Sequence, residues 1–201
     1  GIKVPDPFII PGEMEDLDGD GLKELIFGIG TGFSRYPRNV FAYYISKDSL
    51  AESPESSYYI WKIFQTDISG DGKREIIPYG YAASNVSPDE AEVHDCSAFL
   101  IALDQDLRYL FKPIGIGGRY SKITPFENLS DGQKPLGFLF NGVSSKTFST
   151  AYYANEEGII TDSIPLRFYA IDCINTTFRK RPMYLLQVPA RGIGLYDPDF
   201  S

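Results

Sequence analysis

The sequence is poor in several side chains on which particular fold classes depend. Its 201 residues include two cysteines, two methionines, one tryptophan and one histidine. Two cysteines are too few for a disulfide framework, so Cys96 and Cys173 are either one bridge or two reduced thiols packed as small apolar groups. Apolar runs of roughly 18 residues are also missing, and the sequence therefore predicts no membrane-spanning helix.

Positive charge is scarce as well. The chain carries 19 Lys and Arg against 27 Asp and Glu, a formal net charge of −8, and its pI is about 4.7. Such a surface repels nucleic acid and anionic membrane, which excludes both as expected partners. Part of the acidic excess is concentrated in two short segments, and this clustering indicates local binding of a cation.

Aromatic residues and turn formers are plentiful. There are 14 Tyr, 14 Phe, 19 Gly and 14 Pro, a composition typical of short strands joined by turns. The pattern predicts one hairpin from Ala98–Leu103 and Leu107–Phe111, and a second from Phe148–Tyr153 and Ile159–Thr161. No convincing amphipathic helix is present, so the expected fold class is all-β.

One pattern recurs along the chain: an apolar approach, an Asp-rich turn and an apolar strand. The turns begin at Asp16, Asp67, Asn128 and Asp172, which are 51, 61 and 44 residues apart. A four-stranded propeller blade needs about 40–50 residues. We therefore expect residues 1–201 to form a single propeller-like domain of about three and a half blades. Its units are approximately 8–57, 58–117, 118–166 and 167–201. An incomplete ring leaves edges exposed, so the chain is part of a longer propeller, is completed by a partner chain or flanking domain, or is an irregular variant.

The first two turns space oxygen atoms at alternate positions, as one tight loop around one ion requires. The expected ligands of the first loop are Asp16, Asp18, Asp20, the carbonyl of Leu22, and Glu24. Those of the second are Asp67, Ser69, Asp71, the carbonyl of Lys73, and Glu75. Intervening glycines permit the backbone angles that wrapping needs.

Calcium is the ion that these loops favour. It takes six to eight oxygen ligands in a tolerant geometry, whereas Mg²⁺ is less suited to a cage supplied mainly by protein. The alternative is a plain Asp-Gly turn, which needs no metal. In the third copy the final acid is replaced by Pro135, and no metal is expected there.

The segments Asp16–Leu25 and Asp67–Ile76 resemble the repeats called FG-GAP or VCBS, which occur in integrin-like propellers and in many bacterial surface proteins. The resemblance implies a β-propeller with calcium bound between the first two strands of a blade, by the ligands named above. It also implies a location outside the cytoplasm: extracellular, at the cell surface or periplasmic. Because the family spans adhesion, sensing and catalysis, the resemblance does not settle function.

A candidate binding surface is expected at the end of the blades opposite the metal loops. Long connections there are rich in rings, guanidinium groups and amides, which suit a carbohydrate or protein ligand, although ordinary solvated loops have the same composition. The candidate ligand-binding residues are Phe33, Arg35, Tyr36, Arg38, Trp61, Asn85, His94, Arg119 and Tyr120.

Two functions remain open from sequence. The first is a non-catalytic binding or sensing module, favoured because no serine or cysteine lies in a recognisable nucleophile motif. The alternative is a polysaccharide lyase or hydrolase that uses His94, Asp95 and Arg35. No catalytic residue is predicted for the first function, and calcium is its only expected cofactor.

Overall fold

Short apolar stretches between Gly, Pro and Asp turns form the strands, as their alternating residues predict. A computed structural model describes residues 8–30, 38–129, 136–142, 148–189 and 191–201, and no helix occurs within them. The chain is all-β, with 49% of the described residues in strands. The strands are β1 Phe8–Pro11, β2 Leu25–Gly30, β3 Val40–Tyr44, β4 Ser49–Glu52, β5 Tyr59–Thr66, β6 Glu75–Tyr81, β7 Ala98–Leu100, β8 Ile114–Ile116, β9 Lys122–Phe126, β10 Leu136–Asn141, β11 Thr150–Ala154, β12 Ile160–Pro165, β13 Asp172–Phe178, β14 Arg181–Val188 and β15 Gly192–Tyr196.

These strands form four successive antiparallel groups. Strands β1–β4 make one sheet in sequence order, β9–β12 are likewise consecutive neighbours, and β13–β15 make a three-stranded sheet. The β5–β6 hairpin joins β9 through the pair Tyr81–Lys122, which makes one six-stranded sheet in the order β12-β11-β10-β9-β6-β5. Strand β7 pairs with β8. Leu103 bridges Ile76 of β6 to Tyr109. We call the groups the first (β1–β4), second (β5–β8), third (β9–β12) and fourth (β13–β15) units.

Three apolar cores separate the four units, one between each consecutive pair. The first core joins the first and second units, the second core joins the second and third, and the third core joins the third and fourth. Neighbouring residues point into different cores: Ile76 lies in the first and Ile77 in the second. Likewise Phe138 lies in the second core and Leu139 in the third. The two middle units are thus buried on both faces, as the period of a strand allows.

The four units and the three cores between them form an open array. No closed barrel or propeller ring is found among the described strands. The described part of the chain also contains no helix of the length and apolar character needed to cross a membrane.

Several details differ from the sequence prediction. The fourth unit replaces the expected long polar turn with a tight hairpin, in which Phe178 pairs with Arg181 and Arg179 and Lys180 both take positive φ. The predicted Ala98–Phe111 hairpin keeps its turn, where Asp104 N donates to Arg108 O, but β7 pairs with β8 instead of with Leu107–Phe111. Strands β4, β8 and β15 had no sequence prediction.

The two cysteines are free thiols. Cys173 is buried in the third core, where loss of hydration raises the pKa of its thiol. Cys96 contacts the hydroxyl of Ser84 at 3.6 Å and donates to Val86 O. Of the two alternatives left open by the sequence, a bridge between Cys96 and Cys173 or two reduced thiols, the structure has the reduced thiols.

Candidate metal centre and binding surface

The first Asp-rich loop is folded by its own carboxylates. Asp16 accepts hydrogen bonds from Gly19 N at 2.8 Å and from Gly21 N at 3.0 Å. Gly19 and Gly21 have φ of 75° and 86°, a region that L side chains rarely adopt, so glycine is required at both turns. The loop is closed where Glu24 N donates to Glu15 O at 2.8 Å.

Three carboxylates of this loop converge. Ligand oxygens of Asp16, Asp18 and Glu24 all lie within 4.8 Å of one another. Glu24 is fully buried. Its Oε2 accepts from Leu17 N at 2.6 Å, whereas its Oε1 has no hydrogen-bond partner among the described residues. A buried carboxylate oxygen without a partner costs free energy unless a proton or a cation compensates it.

Asp20 does not belong to this group of three carboxylates. Its Oδ1 accepts from Leu22 N at 2.8 Å. A hydrogen bond from Ser46, that backbone bond and nearby Lys47 together lower the pKa of Asp20. Lys47 also donates to Asp18 Oδ2 at 2.5 Å, and this bond raises the pKa of Lys47. The cluster therefore already attracts a cationic group, and Lys47 competes with an incoming metal for Asp18.

The second loop repeats the backbone pattern of the first. Asp67 accepts from Gly70 N at 2.6 Å and from Gly72 N at 3.0 Å, and both glycines again have positive φ. Glu75, which is also buried, accepts from Ile68 N at 2.6 Å. The two loops are thus the same local structure built twice.

One side chain distinguishes the loops. Ser69 occupies the position that Asp18 has in the first loop, and its hydroxyl donates to Glu75 Oε1 at 3.3 Å. The oxygen corresponding to the unpartnered Oε1 of Glu24 is therefore already satisfied. Asp71 accepts from Lys73 N at 2.8 Å, which is the main cause of its lowered pKa. The second loop therefore has one carboxylate fewer than the first, and its buried glutamate is already hydrogen-bonded at both oxygens. A bound cation would stabilise the second loop less than the first.

The two loops are linked to each other. Arg74 of the second loop forms ion pairs with Glu13 and Glu15, which precede the first loop. Glu13 N also donates to the side chain of Gln65 at 2.6 Å. These contacts hold both loops at one end of the first and second units.

The opposite end of the β5–β6 hairpin carries a different surface. Thr66 pairs with Glu75 at the loop end, and Tyr59 pairs with Tyr81 at the other. Six steps along a strand, at about 3.3 Å each, span roughly 20 Å. The second Asp-rich loop and the Tyr59–Tyr81 pair therefore lie at opposite ends of this hairpin. The sequence predicted the same separation between the metal loops and the binding surface.

Three aromatic rings form a cluster at that far end. Centroids of Tyr59 and Tyr81 are 4.8 Å apart, and Trp61 lies 6.4 Å from Tyr59 and 6.2 Å from Tyr81. Trp61 is 52% exposed. We call these three residues the aromatic cluster.

A β-bulge brings the cluster together. The pairing shifts between Ile60 and Lys62, so Trp61 is the extra residue and its ring joins that of Tyr59. The backbone at the bulge approaches Gly80 so closely that a Cβ there would lie 1.9 Å from Tyr59 O. The displaced N–H of Gly80 donates instead to Tyr58 Oη at 3.0 Å. Glycine at this position is therefore a steric requirement of the bulge.

The remaining predicted ligand residues fall into three groups. Phe33, Arg35 and Tyr36 lie outside the described residues. Arg119 and Tyr120 are exposed and are attached beside the end of β6, where Tyr120 N donates to Ala82 O at 2.8 Å. The Arg119 guanidinium stacks on Tyr120 at 4.6 Å. The third group, Arg38, Asn85 and His94, surrounds Asp95.

Arg38 and Asp95 form a buried ion pair. Their charged atoms are 2.9 Å apart, with side-chain exposures of 2% and 0%. Arg38 also donates to Ser57 O, and Asp95 accepts from the backbone N–H groups of Asn85 and Val86, each at 2.7 Å. Arg38 therefore lies beneath the surface and supports it, a role that differs from the expected ligand contact.

His94 is not arranged as the partner of a catalytic acid. Its Nδ1 accepts from Cys96 N at 3.0 Å, and its ring packs edge-on against Phe99 at 5.0 Å. The Asp95 carboxylate is occupied by Arg38 and two backbone N–H groups. This geometry does not favour the alternative in which His94 and Asp95 perform acid–base chemistry.

Sequence reasoning missed Tyr59 and Tyr81. Arg38 lies 5.5 Å from the ring of Tyr59, and burial together with contact to Tyr59 raises the pKa of Tyr81. Strict alternation places Tyr59 and Trp61 on one face but cannot show that a bulge intervenes. The signal available in the sequence was Gly80, a glycine inside a strand-like segment, which is typical of a bulge.

Comparison with known proteins adds no assignment to these observations. No family model matches the chain, and no curated protein matches it. The interpretation of function therefore depends on the geometry of the loops and of the surface opposite them.

Proposed function

We propose that this chain is a calcium-stabilised, non-catalytic binding or sensing module of the FG-GAP/VCBS propeller type that acts outside the cytoplasm. The observation that carries the proposal is Glu24, a fully buried carboxylate with two further carboxylates beside it. One of its oxygens has no hydrogen-bond partner among the residues that the structure describes. A Ca²⁺ ion supplies the missing partner for that oxygen and neutralises the cluster.

The donor set fits calcium. Every side chain in the first loop that is available as a ligand offers oxygen, the donor that hard cations prefer. Asp16 and Asp18 lie at the accessible side of the cluster and Glu24 at its base. Bound calcium would tie the entry of β2 to the turn before it and so brace the first unit.

The family assignment within this proposal is supported by the layered units. Each Asp-rich loop connects the first two strands of a unit, β1 to β2 and β5 to β6, as the resemblance implies. The consecutive antiparallel strands of the first and third units also suit four-stranded blades.

Terbium luminescence tests the metal proposal, because Tb³⁺ replaces Ca²⁺ and is sensitised by nearby tyrosine. The Lys47 ammonium lies 5.1 Å from the centre of the Tyr44 ring and donates to Asp18, which places this ring near the first loop. We expect luminescence that calcium displaces and that Glu24→Gln abolishes. The matched variant Glu75→Gln should retain most of it. Luminescence unchanged in Glu24→Gln would reject the first loop as the metal centre.

The binding surface that we propose comprises the aromatic cluster with Arg119 and Tyr120, for a carbohydrate or protein ligand. Exposed aromatic rings beside a guanidinium supply apolar contact area together with hydrogen-bond donors. The Arg38–Asp95 pair lies below this surface and holds its parts in place.

The single tryptophan makes this proposal directly measurable. Because Trp61 is the only tryptophan, its fluorescence reports binding at the aromatic cluster when panels of neutral glycans, acidic glycans and peptides are added. A binding ligand should shift the emission, and Tyr120→Ala should weaken the response. Phe178→Ala, which removes an equally exposed ring (45%) in the fourth unit, is the control. Calorimetry compares the variants, and a ligand that binds Tyr120→Ala and Trp61→Ala as tightly as it binds the parent chain would show that another surface is used.

A further inference from the structure

The first and fourth units differ from the middle units in how their faces are covered. Both faces of each middle unit contribute to a core, whereas the first unit contributes only to the first core and the fourth unit only to the third. Each therefore has one further sheet face that no described core covers.

The other face of the first unit is apolar and at least partly exposed, except at Phe41, which stacks on Phe27 and is buried. Directly paired residues share a sheet face, and the row Leu25–Tyr43–Leu50 crosses β2, β3 and β4. Leu25 and Leu50 are 41% and 56% exposed, and Ile9, paired with Ile29 on the same face, is 70% exposed. We call this surface the head face.

The fourth unit presents a similar surface on its other side. The row Ile174–Leu185–Leu195 crosses β13, β14 and β15. Ile174 and Leu195 are 58% and 40% exposed, and Ile193, on the same face, is 71% exposed. Cys173 and Leu186, which alternate with these residues, lie in the third core. We call this surface the tail face.

Both faces repeat the pattern that is buried between units inside the chain. A three-residue apolar row across adjacent strands is the kind of surface that a stacked sheet covers. The head face and tail face belong to the first and fourth units, which share no core with each other, so each is open to a second copy.

Charge distinguishes the two ends and gives them opposite signs. Residues 8–57 contain nine Asp and Glu against four Lys and Arg, whereas residues 167–201 contain three against five. The β13–β14 turn presents Arg179, Lys180 and Arg181, all exposed. The first unit remains acidic even with one bound Ca²⁺. Head-to-tail contact therefore brings opposite charges together, whereas head-to-head and tail-to-tail contacts bring like charges together.

We propose that the head face of one copy of this chain packs on the tail face of a second copy. The association is heterologous, with an apolar centre and a charged rim. It builds on the propeller-type layering proposed above but not on calcium, because neither face contains a loop ligand.

Sedimentation velocity at saturating calcium tests this proposal, using two matched variants. Ile9→Asp places a charge on the head face and Ile193→Asp places one on the tail face. Both side chains are largely exposed, so each variant should unfold at the midpoint of the parent chain. Ile159→Asp, at an exposed isoleucine (57%) of the β11–β12 connection, is the control and should sediment like the parent.

The expected pattern identifies the pairing. The parent chain of 22.5 kDa should sediment at twice that mass or more, and added salt should weaken the association. Each variant alone should sediment as a single chain, whereas an equimolar mixture should recover a two-copy species through its one unaltered head–tail pair. A parent that is monomeric at every concentration would overturn the proposal, as would dissociation of only one variant. Neither outcome affects a calcium-dependent rise in stability, so the two proposals fail separately.

Discussion

At the scale of single residues, two buried carboxylates differ in how fully their oxygens are hydrogen-bonded. Asp95 is paired with Arg38 and two backbone N–H groups, whereas one oxygen of Glu24 has no hydrogen-bond partner in the described part of the chain. The Asp and Gly spacing of the first loop predicted Glu24 as a ligand position, because consecutive loop residues fold on each other. It could not predict the Arg38–Asp95 pair, since 57 residues separate its members and only the tertiary fold brings them together.

Removing Asp95 should be strongly destabilising. Asp95→Ala removes the carboxylate that pairs with the buried Arg38 guanidinium, and we expect a loss of ~3–5 kcal/mol in the free energy of unfolding. Urea denaturation followed by circular dichroism measures this loss. The control is Glu92→Gln, which breaks the exposed Lys112–Glu92 pair and should leave the midpoint unchanged. Equal midpoints for both variants would contradict a structural role for the buried pair.

At the scale of elements, the β5–β6 hairpin connects the two candidate sites. Its loop end was predictable, because the Asp-Gly pattern is local and recurs in two places. Its far end was not, because a bulge changes which residues share a face without changing the composition of the strand. The fourth unit shows the same limit: the recurring pattern predicted a turn from Asp172, but β13 begins there and Arg179 and Lys180 form a two-residue hairpin turn after it.

The bulge gives a steric prediction at Gly80. A Cβ at this position would lie 1.9 Å from Tyr59 O and 3.1 Å from Trp61 N, and a backbone carbonyl cannot rotate away as a side chain can. We expect Gly80→Ala to cost at least ~2 kcal/mol of stability and to alter Trp61 fluorescence in the folded state. Gly118→Ala, where no atom lies within 4 Å of the added carbon, should change neither property. A stable Gly80→Ala variant with unaltered fluorescence would exclude the bulge.

At the scale of the whole molecule, burial is organised in layers, and tyrosine is a large part of what is buried. Periodicity predicted strands and approximate units, because each apolar residue must reach a core. It could not predict which unit packs on which, since any apolar face can in principle cover any other. The cores between consecutive units supply that missing order.

Buried tyrosines predict instability at high pH. Burial raises the pKa of Tyr58, Tyr79 and Tyr184 above the ordinary value of 10.0 and that of Tyr153 to about 12. In the unfolded chain these groups lose protons near pH 10.0, so their contribution is complete below that pH and is lost above it. Lys122, whose pKa is lowered by burial, acts in the opposite direction, but it is one group against four. Urea midpoints should therefore fall steadily above pH 10.0, and midpoints constant up to about pH 12 would contradict this burial.

Thermal unfolding with calcium and with a chelator tests the central claim most directly. Calcium that binds only the folded chain at a concentration 100 times its dissociation constant should stabilise it by ~2.7 kcal/mol, which for a domain of this size is a rise of roughly 5–10 °C in the midpoint. Glu24→Gln should lose most of this rise, and Mg²⁺ should not reproduce it. A midpoint that is the same in calcium and in chelator would contradict the claim that the first loop is a calcium centre.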